Sequence, residues 1–199
     1  MTRRDLFHVL PTGAAACLGC TGMALCAAQT AAQTGAPEPS SGFGAKADMT
    51  WEQVFRFAHL GYAQILKKLS AEIGHDRFDK MLREAASEEV ARSVTALTKS
   101  VPERNIAAFA LYMKTQPIYR SALVWNVVEE SPTAFEIHVS QCLWAKTFRA
   151  QDAAEIGYAR ICYPDYAASE AFNPKMKMIR TKTLMQGHDC CNHRWAMEI

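Results

Sequence analysis

The spacing of apolar residues changes its period near residue 120, and this change constrains the fold more than any other feature of the sequence. From Trp51 to Leu69, apolar side chains recur every three or four residues, which is the spacing of one helix face. Further along, Phe135, Ile137 and Val139 alternate with polar residues, which is typical of a half-buried strand. We therefore expect an α+β domain in which N-terminal helices pack with a small antiparallel sheet.

The helical part of the chain predicts three helices. Thr50 begins a capping box and Gly74 ends the first helix. A second helix is expected over 76–99, and a third has Pro102 in its first turn and stops at Pro117. The predicted buried face of the first helix comprises Trp51, Val54, Phe55, Ala58, Tyr62, Ile65, Leu66 and Leu69.

The second half of the chain predicts strands interrupted by short helices. A hairpin is expected over 123–140 with its turn at 129–132, followed by helices over 143–150 and 153–161. A further strand is predicted over 176–184. In a final strand, Cys191, His193 and Trp195 would share one face, with Asn192 and Arg194 on the other.

The last third of the chain holds the residues best suited to chemistry. All four cysteines beyond the N-terminal leader lie here, close in sequence to Asp165 and His193. Three interpretations remain open: Cys142, Cys162 and Cys191 surround a metal ion or a pocket; one cysteine is a nucleophile assisted by a His and an Asp; or the cysteines form two disulfides. For Asp165, a helix cap is the alternative to a catalytic role.

The first 47 residues have the composition of an export leader. Paired Arg3 and Arg4 precede a weakly apolar, Ala- and Gly-rich run, which is typical of a twin-arginine signal peptide. We expect a signal peptide over 1–32, a disordered linker over 33–47 and the domain over 48–199. The protein would then use the twin-arginine export machinery and reach the periplasm or another exported location, without a stable membrane span after cleavage.

Composition argues against nucleic acid as a partner. The net charge is +2 for 199 residues, and no basic stripe or acidic tail is present in the sequence. Nucleic-acid-binding domains concentrate Lys and Arg in such a stripe. A small-molecule substrate is the expected partner, and a divalent metal is a candidate cofactor.

Six segments occur in an order that resembles the L-2-amino-thiazoline-4-carboxylic acid hydrolase family: 142–145, 155–158, 162–165, 172–175, 180–184 and 187–195. The resemblance extends from about Trp51 to Trp195. The positions that match the family pattern are Cys142, Cys162, Asp165, Arg180, Gly187 and Cys191. An export leader departs from the intracellular setting of the family's namesake activity, which leaves the exact substrate of an exported member open.

The resemblance implies hydrolytic opening of a cyclic C=N–S carbon to an N-carbamoyl cysteine-like product. Such a reaction needs a nucleophile, a proton donor and a cation for the substrate carboxylate. The resemblance assigns Cys162 or Cys191 as nucleophile or ligand, and Asp165 or His193 as acid/base. Arg180 or Arg194 would bind the carboxylate; for Arg180 a strand-surface ion pair is the alternative.

The leader generates a first prediction. Replacing Arg3 and Arg4 with Lys should leave full-length precursor in the cytoplasm, because the twin-arginine pathway requires the arginine pair. Cell fractionation and immunoblotting measure this, with wild type as the control. Export of the double variant at the wild-type level would refute the prediction.

Overall fold

A computed structural model describes residues 49–198, so the predicted signal peptide and the predicted linker lie outside the described residues. The α+β prediction is confirmed. The elements in chain order are helices α1 (Trp51–Ile73), α2 (His75–Thr98), α3 (Ile106–Thr115) and α4 (Pro117–Ala122), strands β1 (Leu123–Glu130) and β2 (Ala134–Cys142), helices α5 (Leu143–Arg149) and α6 (Ala154–Gly157), a π-helix (Tyr158–Cys162), α7 (Asp165–Phe172), β3 (Met176–Ile179), a 3₁₀ turn (Leu184–Gln186) and β4 (Cys191–Met197). Within residues 49–198, no helix is long and apolar enough to cross a membrane.

Helix α1 begins and ends where its sequence predicts, but it buries a narrower face. The Thr50 side chain accepts from the Gln53 backbone N–H at 3.3 Å, and Gly74 ends the helix with a φ of 94°. Only Phe55, Ala63, Leu66 and Ser70 are buried. The predicted face was too wide because α1 packs against its neighbours along one line, which leaves Val54, Ile65 and Leu69 exposed.

The start of α3 differs from the prediction, and α4 is an additional helix. Helix α3 begins after Asn105, whose side chain accepts from the Ala108 backbone N–H at 2.9 Å, so Pro102 lies outside it. Asparagine is a strong N-cap, and its hydrogen bond fixes the start of the helix. Pro117 follows the end of α3 as expected and is also the first residue of α4.

The four strands form one antiparallel sheet in the order β1-β2-β4-β3. Strand β1 reaches Glu130, so the hairpin turn is shorter than predicted. Strand β3 ends at Ile179 instead of continuing to 184, since Arg180 turns inward. The inner face of β2 carries the predicted Phe135, Ile137 and Val139, all buried.

Trp195 of β4 joins the sheet to the helices. Its ring lies 4.9 Å from Phe109 of α3 and 5.9 Å from Phe135 of β2, centroid to centroid. Its indole Nε1 donates to Ser169 Oγ of α7 at 2.9 Å. A buried tryptophan needs such a partner for its N–H, so this bond fixes α7 against β4.

Gly157 allows the end of α6 to approach a second apolar cluster. A Cβ placed there would lie 2.6 Å from Met185 Sδ and 2.8 Å from Phe148 Cγ, and both of those side chains are buried. On α1, by contrast, a Cβ on Gly61 would meet no atom within 4 Å.

These two glycines form a matched pair for a stability test. Gly157→Ala should lower the free energy of unfolding by about 2 kcal/mol through overpacking. Gly61→Ala should raise it by roughly 0.5–1 kcal/mol, because alanine is the better helix former. Urea denaturation measures both. Equal effects of the two substitutions would contradict the close approach at Gly157.

Candidate functional site

A cavity of about 440 Å³ lies between α2, α3, α7 and the inner face of the sheet. Its polar lining includes five residues that the sequence singled out: Cys142, Cys162, Asp165, Cys191 and His193. The rest of the lining is mainly apolar and includes Val90, Val94, Leu97, Phe109, Met113, Val139, Trp144, Ile161, Phe172 and Trp195. The fold thus brings the catalytic candidates and metal-ligand candidates together around one enclosed space.

Chain reversals and the alternation of side chains along a strand place these side chains at the cavity. Cys142 is the last residue of β2 and the N-cap of α5, where its Sγ accepts from the Ala145 N–H at 3.4 Å. Cys162 ends the π-helix, and Asp165 begins α7 after the Pro164 bend. Because β4 alternates its faces, Cys191 and His193 both line the cavity.

Arg180 holds Asp165 from behind the cavity. Its Nη1 donates to Asp165 Oδ2 at 2.8 Å and its Nη2 to the Cys162 carbonyl at 2.8 Å. The Arg180 side chain is only 1% exposed, and its guanidinium faces the rings of Tyr158 and Tyr166 at 5.7 and 5.0 Å. Arg180 itself is not among the residues that line the cavity.

These contacts change two expectations. The Asp165 carboxylate does not cap α7: Pro164 occupies the N-cap position, and the carboxylate is bonded to Arg180. Arg180 is buried instead of lying on a strand surface, it pairs with an Asp165 side chain that is 40% exposed, and it does not line the cavity where a substrate carboxylate would bind.

Burial shifts the pKa values of the two candidate acid/base groups in opposite directions. It raises the pKa of Asp165 to about 6, against the lowering effect of the neighbouring Arg180 charge. It lowers the pKa of His193 to about 3, and the Arg180 charge lowers that pKa further. Near neutral pH, Asp165 can therefore accept and donate a proton, whereas His193 is a neutral imidazole.

The cavity cysteines are protonated thiols at neutral pH. Burial raises the pKa of Cys142 to about 11 and that of Cys162 well above its usual value. Burial also raises the pKa of Cys191, even though its Sγ accepts a hydrogen bond from Leu184 N–H at 3.2 Å. A thiol needs its thiolate form to act as a strong nucleophile or metal ligand.

The described residues favour neither the disulfide nor the metal interpretation. Cys142, Cys162, Cys190 and Cys191 are all free thiols. Between residues 49 and 198, no three His, Cys, Asp or Glu side chains are placed so that they could hold a metal ion.

Arg194 lies apart from the cavity. It is on the other face of β4, where its Nε binds Glu129 at 3.0 Å and lies 3.7 Å from Glu136. Alternation along the strand places it there, since its neighbours His193 and Trp195 face inward. The structure therefore does not bring Arg194 to the other candidate residues.

Arg160 lines the cavity, although no pattern in the sequence selects it. Its Nε donates to the Tyr62 hydroxyl at 3.0 Å, and its Nη2 donates to Glu89 of α2 at 3.2 Å. Only the packing of the π-helix against α1 and α2 brings these three residues together.

The fold and the cavity define an α+β domain that encloses free thiols and a titratable carboxyl group within largely apolar walls. A family model described as L-2-amino-thiazoline-4-carboxylic acid hydrolase matches residues 54–195. The chain belongs to this family. No curated protein matches the chain in sequence.

Comparison with solved structures finds partial similarity at low sequence identity. A trafficking protein particle complex subunit 3 from Naegleria fowleri, covalently bound to palmitic acid, has a TM-score of 0.49 and 12% identity, and the match covers 73% of this chain and 96% of that one. The phenol-responsive sensory domain of the transcription activator PoxR with phenol has a TM-score of 0.49 and 12% identity, covering 69% and 73%. An Fe(II) unliganded H-NOX protein from K. algicida has a TM-score of 0.39 and 16% identity, covering 68% and 71%.

The low pKa of His193 predicts a pH-dependent stability. Between about pH 3 and 6.5 the unfolded chain binds a proton at His193 that the folded chain does not, so this residue makes stability fall as pH is lowered. At pH 5, this loss should be on the order of 1 kcal/mol, with partial exposure taken into account.

Replacing His193 with Asn removes the titrating group and should remove that part of the loss. Urea denaturation of both proteins at pH 7.5 and pH 5 isolates the His193 contribution as the difference between their pH dependences. The same loss in wild type and His193→Asn would refute a buried neutral imidazole.

Proposed function

We propose that this protein is a hydrolase that opens a cyclic N=C–S substrate of the 2-amino-thiazoline-4-carboxylate type inside the cavity, with Asp165 as the acid/base. The observation that carries the proposal is the Asp165 carboxyl group, which lines the cavity with a pKa of about 6 in a chain of this family. A general acid/base works best when its pKa lies near the working pH.

The reaction adds one water molecule across the ring C–S bond. Asp165 accepts a proton from water as the water oxygen bonds to the ring carbon, and it passes this proton to the ring nitrogen. The C–S bond then breaks as Asp165 takes the proton of the new hydroxyl group, which becomes the carbonyl, and delivers that proton to the departing sulfur. The product is an N-carbamoyl compound with a free thiol, and Asp165 ends in its starting state.

Arg180 acts in this scheme as a positioning residue. Its bond to Oδ2 of Asp165 fixes the carboxylate, and its charge keeps the pKa of Asp165 from rising further with burial. Without that charge, the carboxyl group would be protonated at neutral pH and would not accept a proton from water.

Water is the nucleophile that the thiol chemistry favours. The raised pKa values of Cys142, Cys162 and Cys191 keep these residues as thiols, so they shape the cavity without attacking the substrate. His193 is neutral at working pH and suits a hydrogen-bonding role better than that of a proton donor.

Arg160 is the cation best placed for the substrate carboxylate. It lines the cavity, and its guanidinium donates to Tyr62 and Glu89. Guanidinium groups bind carboxylates with two parallel hydrogen bonds. This assignment replaces Arg180 and Arg194, neither of which lines the cavity.

Asp165→Asn tests the proposal. It should lower kcat/KM for thiazoline ring opening by about a hundredfold or more, which is typical of a lost general base. The matched control is Asp189→Asn, because Asp189 is an exposed carboxylate paired with Lys182. In wild type, kcat/KM should rise with pH through about 6, as Asp165 ionises. Ring opening is followed by titrating the released thiol.

Serine variants of the cysteines identify the nucleophile. Cys162→Ser and Cys191→Ser should retain most of the activity if water attacks, and the half-buried neighbour Cys190, which does not line the cavity, serves as a control position. A loss in either variant as large as that of Asp165→Asn would contradict water as the nucleophile.

Binding without hydrolysis is the second candidate function. The protonated thiols and the largely apolar cavity lining favour a protein that holds a small ligand. Saturable binding of the thiazoline with no thiol released in the assay would support this function and reject the hydrolase.

We further propose that the protein acts outside the cytoplasm after twin-arginine export. The support is the Arg3-Arg4 pair with the weakly apolar run that follows it.

A further inference from the structure

Three apolar residues near the end of α2 line the cavity. Val90, Val94 and Leu97 have the spacing of one helix face, and all three belong to the lining. Val94 also packs against the main apolar core, Val90 is half-buried, and Leu97 is 56% exposed. A helix face of this kind normally packs against another element, and the part of it that faces the cavity is available to an apolar group of a ligand.

The opposite wall of this part of the cavity is also uncharged. Helix α3 contributes Ala108, Phe109, Tyr112 and Met113. No charged side chain of α2 or α3 is among the lining residues. A polar ligand placed here would lose its hydration without gaining a charged partner, whereas an apolar group would be stabilised.

The charged groups of the cavity occupy its other part. Asp165 and Arg160 come from the segments around the π-helix, and Arg160 is anchored to Glu89, one residue before Val90. Leu97 lies eight residues beyond Glu89, which is about 12 Å along a helix. The lining therefore changes from charged to apolar along the length of α2.

We propose that the ligand of this site is amphipathic: a carboxylate and reactive ring at Arg160 and Asp165, with a sizeable aliphatic or aromatic group extending along α2 towards Leu97. The volume of about 440 Å³ suits such a molecule, because sites for drug-sized ligands occupy roughly 300–1,000 Å³. This inference rests on the proposed function in taking the cavity as the reaction site, and it names the substrate class. Binding is therefore measured separately from turnover.

The test compares 2-amino-thiazoline-4-carboxylate with its 5-phenyl derivative. Stopped-flow fluorescence of Trp144 and Trp195, which both line the cavity, records binding before turnover. The phenyl compound should bind wild type at least about tenfold more tightly, as expected for burial of a group of that size. If it binds no more tightly than the unsubstituted compound, the proposal is overturned.

A filling substitution locates the apolar group. Val94→Phe should remove most of the advantage of the phenyl compound and change the affinity for the unsubstituted compound less than about twofold. Val54→Phe is the matched control, since Val54 is a partly exposed helical valine outside the cavity. Equal weakening of both compounds by Val94→Phe, or the same selective effect in Val54→Phe, would overturn the placement along α2.

A truncation keeps the test decisive if Val94→Phe fails to fold by circular dichroism. Leu97→Ala should weaken binding of the phenyl compound about threefold. Leu60→Ala should leave that binding unchanged, since Leu60 is a leucine of similar exposure on α1. No effect of Leu97→Ala would overturn the proposal. Tighter binding of the phenyl compound without ring opening would reject the hydrolase and retain the amphipathic ligand. Faster hydrolysis of the unsubstituted compound, without tighter binding of the phenyl compound, would retain the hydrolase and reject the amphipathic ligand.

Discussion

The buried guanidinium of Arg180 sets the geometry of the candidate site. Taking this charge out of water is costly, and the cost is offset only because Asp165, the Cys162 carbonyl and two tyrosine rings surround it. These contacts tie the end of β3 to the end of the π-helix and the start of α7. Removing the Asp165 side chain would leave the charge uncompensated, so the same pair serves both stability and the positioning of the carboxylate.

One physical cause gives the cavity its electrostatic character. Burial disfavours charge, so it raises the pKa of Asp165 and of the cysteine thiols and lowers the pKa of His193. The Arg180 charge opposes the effect of burial on the pKa of Asp165 and adds to the effect of burial on the pKa of His193. The outcome is a cavity in which the carboxyl group alone, among these candidate groups, changes its protonation near neutral pH. This division of roles favours acid/base chemistry over attack by a thiol.

The cavity exists because several elements that carry apolar stripes do not close on one another. Trp195 and Ser169 fix α7 to the sheet, while Val94 and Leu97 near the end of α2 remain part of the cavity wall. Close packing of these stripes would add stability through buried apolar surface. The unfilled space is what allows a ligand to reach Asp165 and Cys162.

The sequence by itself determined the local structure and much of the candidate set. Periodicity identified α1, α2 and the β1–β2 hairpin, because amphipathic spacing reflects burial within a single element. Alternation correctly separated inward Cys191, His193 and Trp195 from outward Arg194. Patterns within one element also suggested wider burial for α1 and a longer β3, where neighbouring elements decided otherwise.

Only the tertiary structure decided what the charged residues do. The pairing of Asp165 with Arg180 joins residues 15 positions apart, and that of Arg160 with Glu89 joins residues 71 apart. No local pattern encodes such partners, since they depend on how helices and strands pack. The protonation states of the candidate residues could not be predicted from the sequence either. A pKa depends on burial and neighbouring charge, and both arise only when the chain folds around the cavity.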